Sequence, residues 1–279
     1  MSKTVTIGKY EIGKGKPLSI IAGPCVVENE KLILETAEHL KKVSEKLNIP
    51  LIFKSSFKKA NRTSLDGFVG LPFDQALEIL AKVRQEFNLP VLTDIHTELE
   101  VPVVAEVADV LQIPAFLSRQ TDLLLAAGRT GRAVNIKKGQ FLAPEDMTKA
   151  VIKIKSTGND NILLTERGTT FGYRNLIVDM RSLVIMDQIG YPVVYDATHS
   201  VQIPGGLGHA SGGQPEFILP LARAAIATGS VSVIFMEVHP DPTNALSDAA
   251  SQLKLDDFPR VVENLLNIYE ITLSQSKNS

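Results

Sequence analysis

Residues 18–28 read LSIIAGPCVVE, and the rest of the chain repeats their logic. The apolar run Leu18–Ala22 stops abruptly at Gly23-Pro24 and delivers Cys25, the only cysteine present. Apolar on both parities, the run suits a strand buried on both faces, as in a parallel sheet. The order of events, a short strand, a sharp stop and then a reactive or polar group, recurs downstream. Further β-rich runs lie at Leu51–Lys54, Val91–Asp94, Val110–Ile113, Ala133–Lys137, Asn161–Thr165, Val193–Asp196 and Ser232–Glu237. Between them the apolar spacing predicts helices over Glu30–Leu47, where Ile33, Ala37, Leu40 and Leu47 share roughly one face, and near 72–87, 98–107, 120–129, 145–156, 175–189, 215–228 and 258–273.

That pattern makes eight strands, each followed by helix or loop, with no Pro/Gly/Ser linker long enough to mark a domain boundary. A single domain over 1–279 is expected. Residues 1–17, with TVTIG and then YEIG, read as a hairpin placed to plug the bottom of a barrel. There is no G-x-G-x-x-G after the first strand and no P-loop, which removes the usual reason for an open doubly wound sheet. A (β/α)8 barrel is therefore expected, although strand count alone does not distinguish closure from an open sheet.

Hydrophobic residues make up 44% of the 279, enough for a sizeable core, and the net charge of −2 leaves no basic footprint for nucleic acid. One cysteine excludes an intramolecular disulfide framework. The start, MSKTVTIGKY, lacks the apolar core of a signal peptide. No apolar run reaches the roughly 18 residues of a membrane helix. The expectation is a soluble, cytoplasmic protein with neither nucleic-acid nor membrane partners.

In barrels of this kind the working face is the C-terminal end of the strands. Those ends carry Cys25, Lys54, Asp94 with His96, Gln112, Lys137, Glu166 with Arg167, Asp196 with His199, and Glu237 with His239. A shared catalytic mouth would collect such groups. Lys54, Lys59, Arg62, Lys137, Lys138 and Arg167 would all face it, more cations than a neutral substrate needs, so a multiply anionic substrate is implied. Surface lysines are usually just solvated, but Lys54 ends an apolar strand and Arg167 lies in TERGTTFGY. Cys25, His199, Glu237 and either Asp248 or His239 form a donor set suited to a borderline divalent ion such as Zn²⁺, Fe²⁺ or Mn²⁺. Their wide separation gives no spacing signature, and a lone Cys is more often a small buried hydrophobe. The glycine-rich segments Pro204–Gly208 and Ser211–Gly213 read either as flexible connections or as a mobile lid.

Taken together, IAGPCVVE, FKSSFKKANRTS, LTDIHTE, LQIPAFLSRQTDLL, VNIKKGQFLAPEDM, LLTERGTTFGY, YDATHSVQIPGG and FMEVHPDPTNALSDAASQL resemble the 3-deoxy-D-manno-octulosonate 8-phosphate synthases, in order from about residue 18 to residue 253. The resemblance implies a (β/α)8 barrel, usually a homotetramer, that condenses phosphoenolpyruvate with D-arabinose 5-phosphate for the lipopolysaccharide inner core. It implies that Lys59, Lys137 and Arg167 hold phosphoenolpyruvate, with Gln112 and Lys54 nearby. Asn61, Arg62 and Thr63 would hold the sugar phosphate; Thr63 stands where serine is often found. Arg119 in SRQTD would reach a neighbouring subunit's site. Members with cysteine at the position of Cys25 use a metal, and those with asparagine do not. In the metal users the ligands match Cys25, His199, Glu237 and Asp248. Asp94 and His96 are candidates for proton handling or for support of the site. The sister synthase that uses erythrose 4-phosphate shares GPC but shows K-P-R-T where this chain has KANRTS. Sialic acid synthases usually append a further domain, and a non-catalytic sugar-phosphate-binding barrel would not need the full set of strand-end cations.

Overall fold

A computed structural model describes residues 3–62, 65, 67–171, 175–206 and 211–276. Thr63 and part of the glycine-rich segment, residues 207–210, lie outside the described residues. The strands are β1 (Val5–Ile7), β2 (Tyr10–Ile12), β3 (Ser19–Gly23), β4 (Leu51–Lys54), β5 (Val91–Asp94), β6 (Val110–Ile113), β7 (Ala133–Lys137), β8 (Ile162–Glu166), β9 (Thr169–Phe171), β10 (Asn175–Ile177), β11 (Val193–Asp196), β12 (Gln202–Ile203), β13 (Gly212–Gly213), β14 (Val231–His239) and β15 (Leu253–Lys254). The helices are α1 (Glu30–Leu47), α2 (Phe73–Phe87), α3 (Val101–Val107), α4 (Thr121–Arg129), α5 (Met147–Lys155), α6 (Met180–Gln188), α7 (Ile218–Ala227) and α8 (Phe258–Ser276).

The strand order β11-β8-β7-β6-β5-β4-β3-β14 is parallel throughout, and β11 pairs back onto β14. The sheet is closed, so the structure is the (β/α)8 barrel. Alternate residues of each strand face opposite sides. Ile20, Leu51, Phe53, Leu111, Ile136, Leu164, Tyr195 and Ile234 pack outward with the helices. Ile21, Ile52, Leu92, Val110, Ala133, Leu163, Val194, Val233 and Phe235 fill the interior. The β1–β2 hairpin adds Val5, Ile7 and Ile12 to that interior cluster, all 1% exposed or less, and so closes the N-terminal end. Its turn lies against Pro90, the residue before β5: a Cβ on Gly8 would meet Pro90 Cγ at 3.1 Å.

Helix boundaries follow local chemistry. Asn29 caps α1 by accepting from Leu32 N, and Asn48, at φ 49°, ends it in the left-handed region that Asn tolerates. The predicted helix 175–189 is corrected at its start. Residues Asn175–Ile177 pair antiparallel with Thr169–Phe171, and α6 begins only after Asp179 accepts from Arg181 N. The predicted 98–107 shrinks to α3, which carries Pro102 in its first turn, where a missing N–H costs nothing. Among the described residues no helix is long and apolar enough to cross a membrane.

Candidate active site

The site begins where β3 ends. A Cβ on Gly23 would lie 1.9 Å from the Lys54 carbonyl oxygen, so only glycine lets β3 and β4 approach this closely there. The approach puts Cys25 beside the top of β4, and Lys54 Nζ donates to the Cys25 carbonyl at 2.9 Å. Lys54 is also ion-paired to Glu237 at the top of β14, both side chains being 1% exposed. A cavity of about 740 Å³ opens above these residues. Lys54, Lys59, Asn61, Arg62, Asp94, His96, Gln112, Lys137, Arg167, His199, Glu237 and Asp248 all line it. Elements spread from β4 to β14 thus deliver the predicted residues to one place.

On one side of the cavity the candidate metal ligands gather. Ligand atoms of Cys25, Glu237 and Asp248 lie within 4.8 Å of one another, and Cys25 Sγ donates to Asp248 Oδ2 at 3.2 Å. Asp248 adopts φ 49° ahead of the short 3-10 turn Ala249–Ser251. His199 Nδ1 lies 2.9 Å from Asp196 Oδ2, which leaves Nε2 3.6 Å from Glu237 Oε1 and 4.0 Å from Asp248 Oδ2. A carboxylate on one ring nitrogen, aiming the other, is the arrangement that metal-binding histidines use. Glu237 Oε2 is buried without a partner among the described residues, an acceptor left over once Lys54 is satisfied on Oε1. Burial, together with Asp248 and Glu237, pushes the Cys25 thiol well above its ordinary range, against the pull of Lys59 and Lys54.

On the other side lie the cations. Lys137 Nζ donates to Asp196 Oδ2 at 2.8 Å and sits 4.1 Å over the Phe235 ring. Arg167 Nη2 donates to Gln202 Oε1 at 3.0 Å, while its buried Nη1 has no partner among the described residues. Arg62 Nη1 donates to the Lys59 carbonyl at 2.7 Å, and Lys59 Nζ stands 3.9 Å from both Glu237 and Asp248. Burial alone would raise the Asp94 carboxyl, but Lys54, Lys59, Lys137 and His96 hold it well below the usual carboxylate range. The same contest leaves Glu237 low, through Lys54, His199 and Lys59, and Asp196 low, through His199 and Lys137. Burial lowers the pKa of His96 against the pull of Asp94 and Glu100.

Over residues 3–273 the chain matches the DAHP synthetase I family. The chain belongs to the DAHP synthetase I family. Its relatives include the 2-dehydro-3-deoxyphosphooctonate aldolase of Geotalea daltonii, 56% identical over 265 residues, which is 95% of this chain and 97% of the relative. The protein of the same name from Geobacter sulfurreducens is 55% identical over the same shares of the two chains. That of Syntrophotalea carbinolica is 53% identical over 278 residues, covering 100% of each.

Against this family background, six predicted positions among the described residues do not line the cavity: Cys25 and Asp196, described above, and Lys138, Glu166, His239 and Arg119. Lys138 is fully buried and turned away: its Nζ donates to Thr169 Oγ1 at 3.0 Å and to the Leu142 carbonyl at 3.2 Å, 3.6 Å from Glu166. Burial draws its pKa down, with Glu166 opposing. Glu166 itself accepts from Gly168 N and from Ser182 Oγ on α6, both at 2.7 Å. His239 Nε2 lies 3.5 Å from Glu28 Oε1, and it is Asp248 rather than His239 that stands with Cys25 and Glu237. Arg119 is exposed on the barrel flank, beside a second cleft shared with Asp146, Lys149 and Lys153.

The structure also adds residues that strand-end reading misses. Gln202 holds Arg167 in place, and Gln140 lines the cavity. Ser56 donates to Asp94 Oδ2, Asn135 Nδ2 to Gln112 Oε1 at 2.8 Å, and Thr165 Oγ1 to Asn135 Oδ1 at 2.6 Å. The available signal was strand parity, since Asn135 and Thr165 lie two residues before Lys137 and Arg167 and share their inward face.

Proposed function

We propose that this chain is a 3-deoxy-D-manno-octulosonate 8-phosphate synthase. It condenses phosphoenolpyruvate with D-arabinose 5-phosphate and water, and releases inorganic phosphate, a cytoplasmic step toward the lipopolysaccharide inner core. One observation carries the reading: Lys59, Arg62, Lys137 and Arg167 converge on a single cavity, and Arg167 keeps a buried guanidinium nitrogen unpaired among the described residues. A buried cationic donor without a partner is costly unless a ligand supplies the acceptor. The octonate name of the full-length relatives supports arabinose 5-phosphate as the acceptor.

In this reading Lys59, Lys137 and Arg167 bind the phosphate and carboxylate of phosphoenolpyruvate, with Lys54 and Gln112 beside them. Asn61, Arg62 and Thr63 bind the phosphate of the sugar. Neutralising both substrates lets two anions approach. Carbon 3 of phosphoenolpyruvate forms the new C–C bond to the aldehyde carbon, whose oxygen takes a proton. Water adds at carbon 2, and the bond from that carbon to the phosphate oxygen breaks. Asp94, ionised and accepting on both oxygens, serves as the fixed negative charge among the lysines, and His96 beside it takes part in proton handling. An exposed Arg119 suits a homotetramer in which it reaches the neighbouring cavity.

The cluster of one thiol and two carboxylates, with the His199 imidazole 3.6–4.0 Å from the carboxylates and a Glu237 Oε2 that has no partner among the described residues, fits one divalent ion such as Zn²⁺, Fe²⁺ or Mn²⁺. Cys25, His199, Glu237 and Asp248 would hold it, Cys25 losing its proton on binding. When bound, such an ion supplies polarisation of the sugar aldehyde or of a water molecule. His199 is kept in register by Asp196, and Lys59 offsets the two carboxylates.

The test is phosphate release from phosphoenolpyruvate with arabinose 5-phosphate or erythrose 4-phosphate, each with and without a chelator. Release with the pentose phosphate alone, lost on chelation and restored by a divalent ion, is expected. The family name favours erythrose 4-phosphate as the second reading. Release with that sugar alone would establish it, full activity after chelation would overturn the metal, and no release with any aldose phosphate would leave a non-catalytic binding barrel.

A further inference from the structure

A line of polar side chains crosses the barrel interior between the apolar packing below and the charged cavity above. Thr165 on β8 donates to Asn135 on β7 at 2.6 Å, Asn135 to Gln112 on β6 at 2.8 Å, and Gln112 to Asp94 on β5 at 2.7 Å. Ser56, beyond β4, donates to the other oxygen of Asp94. Thr165, Asn135 and Ser56 are wholly buried and do not line the cavity. Two residues before Thr165, Asn135 and Gln112 the same face is aliphatic, at Leu163, Ala133 and Val110. An aliphatic layer would therefore have continued naturally here.

Every bond in the line runs the same way. An ionised carboxylate can only accept, so Gln112 must turn its NH₂ toward Asp94 and its carbonyl toward Asn135. Asn135 must then offer its NH₂ to Gln112 and its carbonyl to Thr165, leaving the Thr165 hydroxyl as donor. Turning Gln112 over would set NH₂ against the NH₂ of Asn135 and oxygen against the Asp94 carboxylate, and turning Asn135 over would set its oxygen against that of Gln112. Each group thus has one allowed orientation, and chains of this kind strengthen one another in a low-dielectric interior. Gln112 and Asp94 are the two members that reach the cavity.

We infer that Thr165 and Asn135 are positioning residues for the reaction, which act through Gln112 to hold it and the Asp94 carboxylate in a single orientation at the cavity floor. The inference rests on the proposed synthase activity. Its consequence is energetic coupling between Thr165 and Gln112, two side chains that hydrogen bonds join through Asn135.

A double-mutant cycle on the whole protein tests this. Thr165→Val keeps the shape and removes the donor; it is expected to lower kcat/KM by about tenfold, or about 1.4 kcal/mol. Thr165→Ser keeps the donor and should stay within about twofold by the same criterion. In a Gln112→Met background, where the line is already cut, Thr165→Val should cost less than about twofold more. The same loss from Thr165→Val in both backgrounds would make the role purely structural and overturn the inference. If Gln112→Met turns over too slowly, phosphoenolpyruvate affinity by calorimetry completes the same cycle. If Thr165→Val does not fold, Asn135→Ala takes its place with the same expected non-additivity. A wild type inactive with every aldose phosphate would instead defeat the proposed function, a result distinct from an active wild type with an additive cycle.

Discussion

The two ends of this barrel are built from the same strands and differ in almost everything else. At the N-terminal end Ile52, Leu92, Val194 and Phe235 pack with the hairpin residues Val5, Ile7 and Ile12. Two residues further along those strands stand Lys54, Asp94, Asp196 and Glu237, which are also buried. Two residues of strand are about 6.6 Å. Over that short rise the interior passes from dry packing to a charged cluster, with the neutral line of Thr165, Asn135 and Gln112 between them. The difference separates the tasks: the closed end stabilises the fold and asks nothing of chemistry, and the open end spends stability on buried charge that only a ligand or metal rewards. Cations and carboxylates at the open end satisfy one another in part, which is what keeps them ionised in a low-dielectric setting.

The comparison is broken most forcefully at Arg167. Arg167→Lys keeps the charge but removes the planar fork, and kcat/KM is expected to fall by about 10²–10³, with the thermal midpoint little changed. A comparable loss of stability would mean that the open end holds the fold as well. The opposite experiment is Ile12→Ala in the hairpin plug, expected to cost about 2–5 kcal/mol in denaturant unfolding while steady-state kinetics of the surviving folded enzyme stay unchanged. A shift in either Michaelis constant would show that the plug reaches the site. Arg62→Ala sharpens the picture within the open end: the Michaelis constant for the sugar phosphate should rise about tenfold and that for phosphoenolpyruvate less than about twofold. An equal rise in both would merge the two substrate regions.

The smallest effect is expected from mild acid. Asp94, Asp196 and Glu237 are held below their ordinary range in the folded state, so their stabilising contribution is complete above the unfolded carboxylate pKa of about 4 and is lost as pH falls below it. The thermal midpoint should therefore be flat between about pH 7 and 5 and drop below about pH 4. A decline that begins near neutrality would mean that these carboxylates are not held ionised by their lysine and histidine partners.

Much of this was legible in the chain. Short apolar runs with polar ends marked all eight barrel strands, because a strand buried on both faces is mostly apolar until it reaches the mouth. Strand parity carries further information. Lys137 and Lys138 are neighbours at a strand end and must point to opposite faces, so one enters the cavity and the other joins Glu166 outside it. The antiparallel pairing of Asn175–Ile177 was obscured because three residues carry too little pattern to distinguish strand from helix.

What the sequence by itself determined is the repeating strand-and-stop unit and the residue types at each strand end, since both depend on nearest-neighbour chemistry and on a period of two. Only the tertiary structure decided closure, and with it which ends meet. Cys25 and Asp248 are 223 positions apart, yet the thiol and carboxylate lie 3.2 Å from each other. That contact depends on β14 pairing with β3, on Gly23 letting β4 approach, and on a loop that turns through φ 49° at Asp248. None of these has a local signature, because the energy that selects them is the burial of the whole barrel.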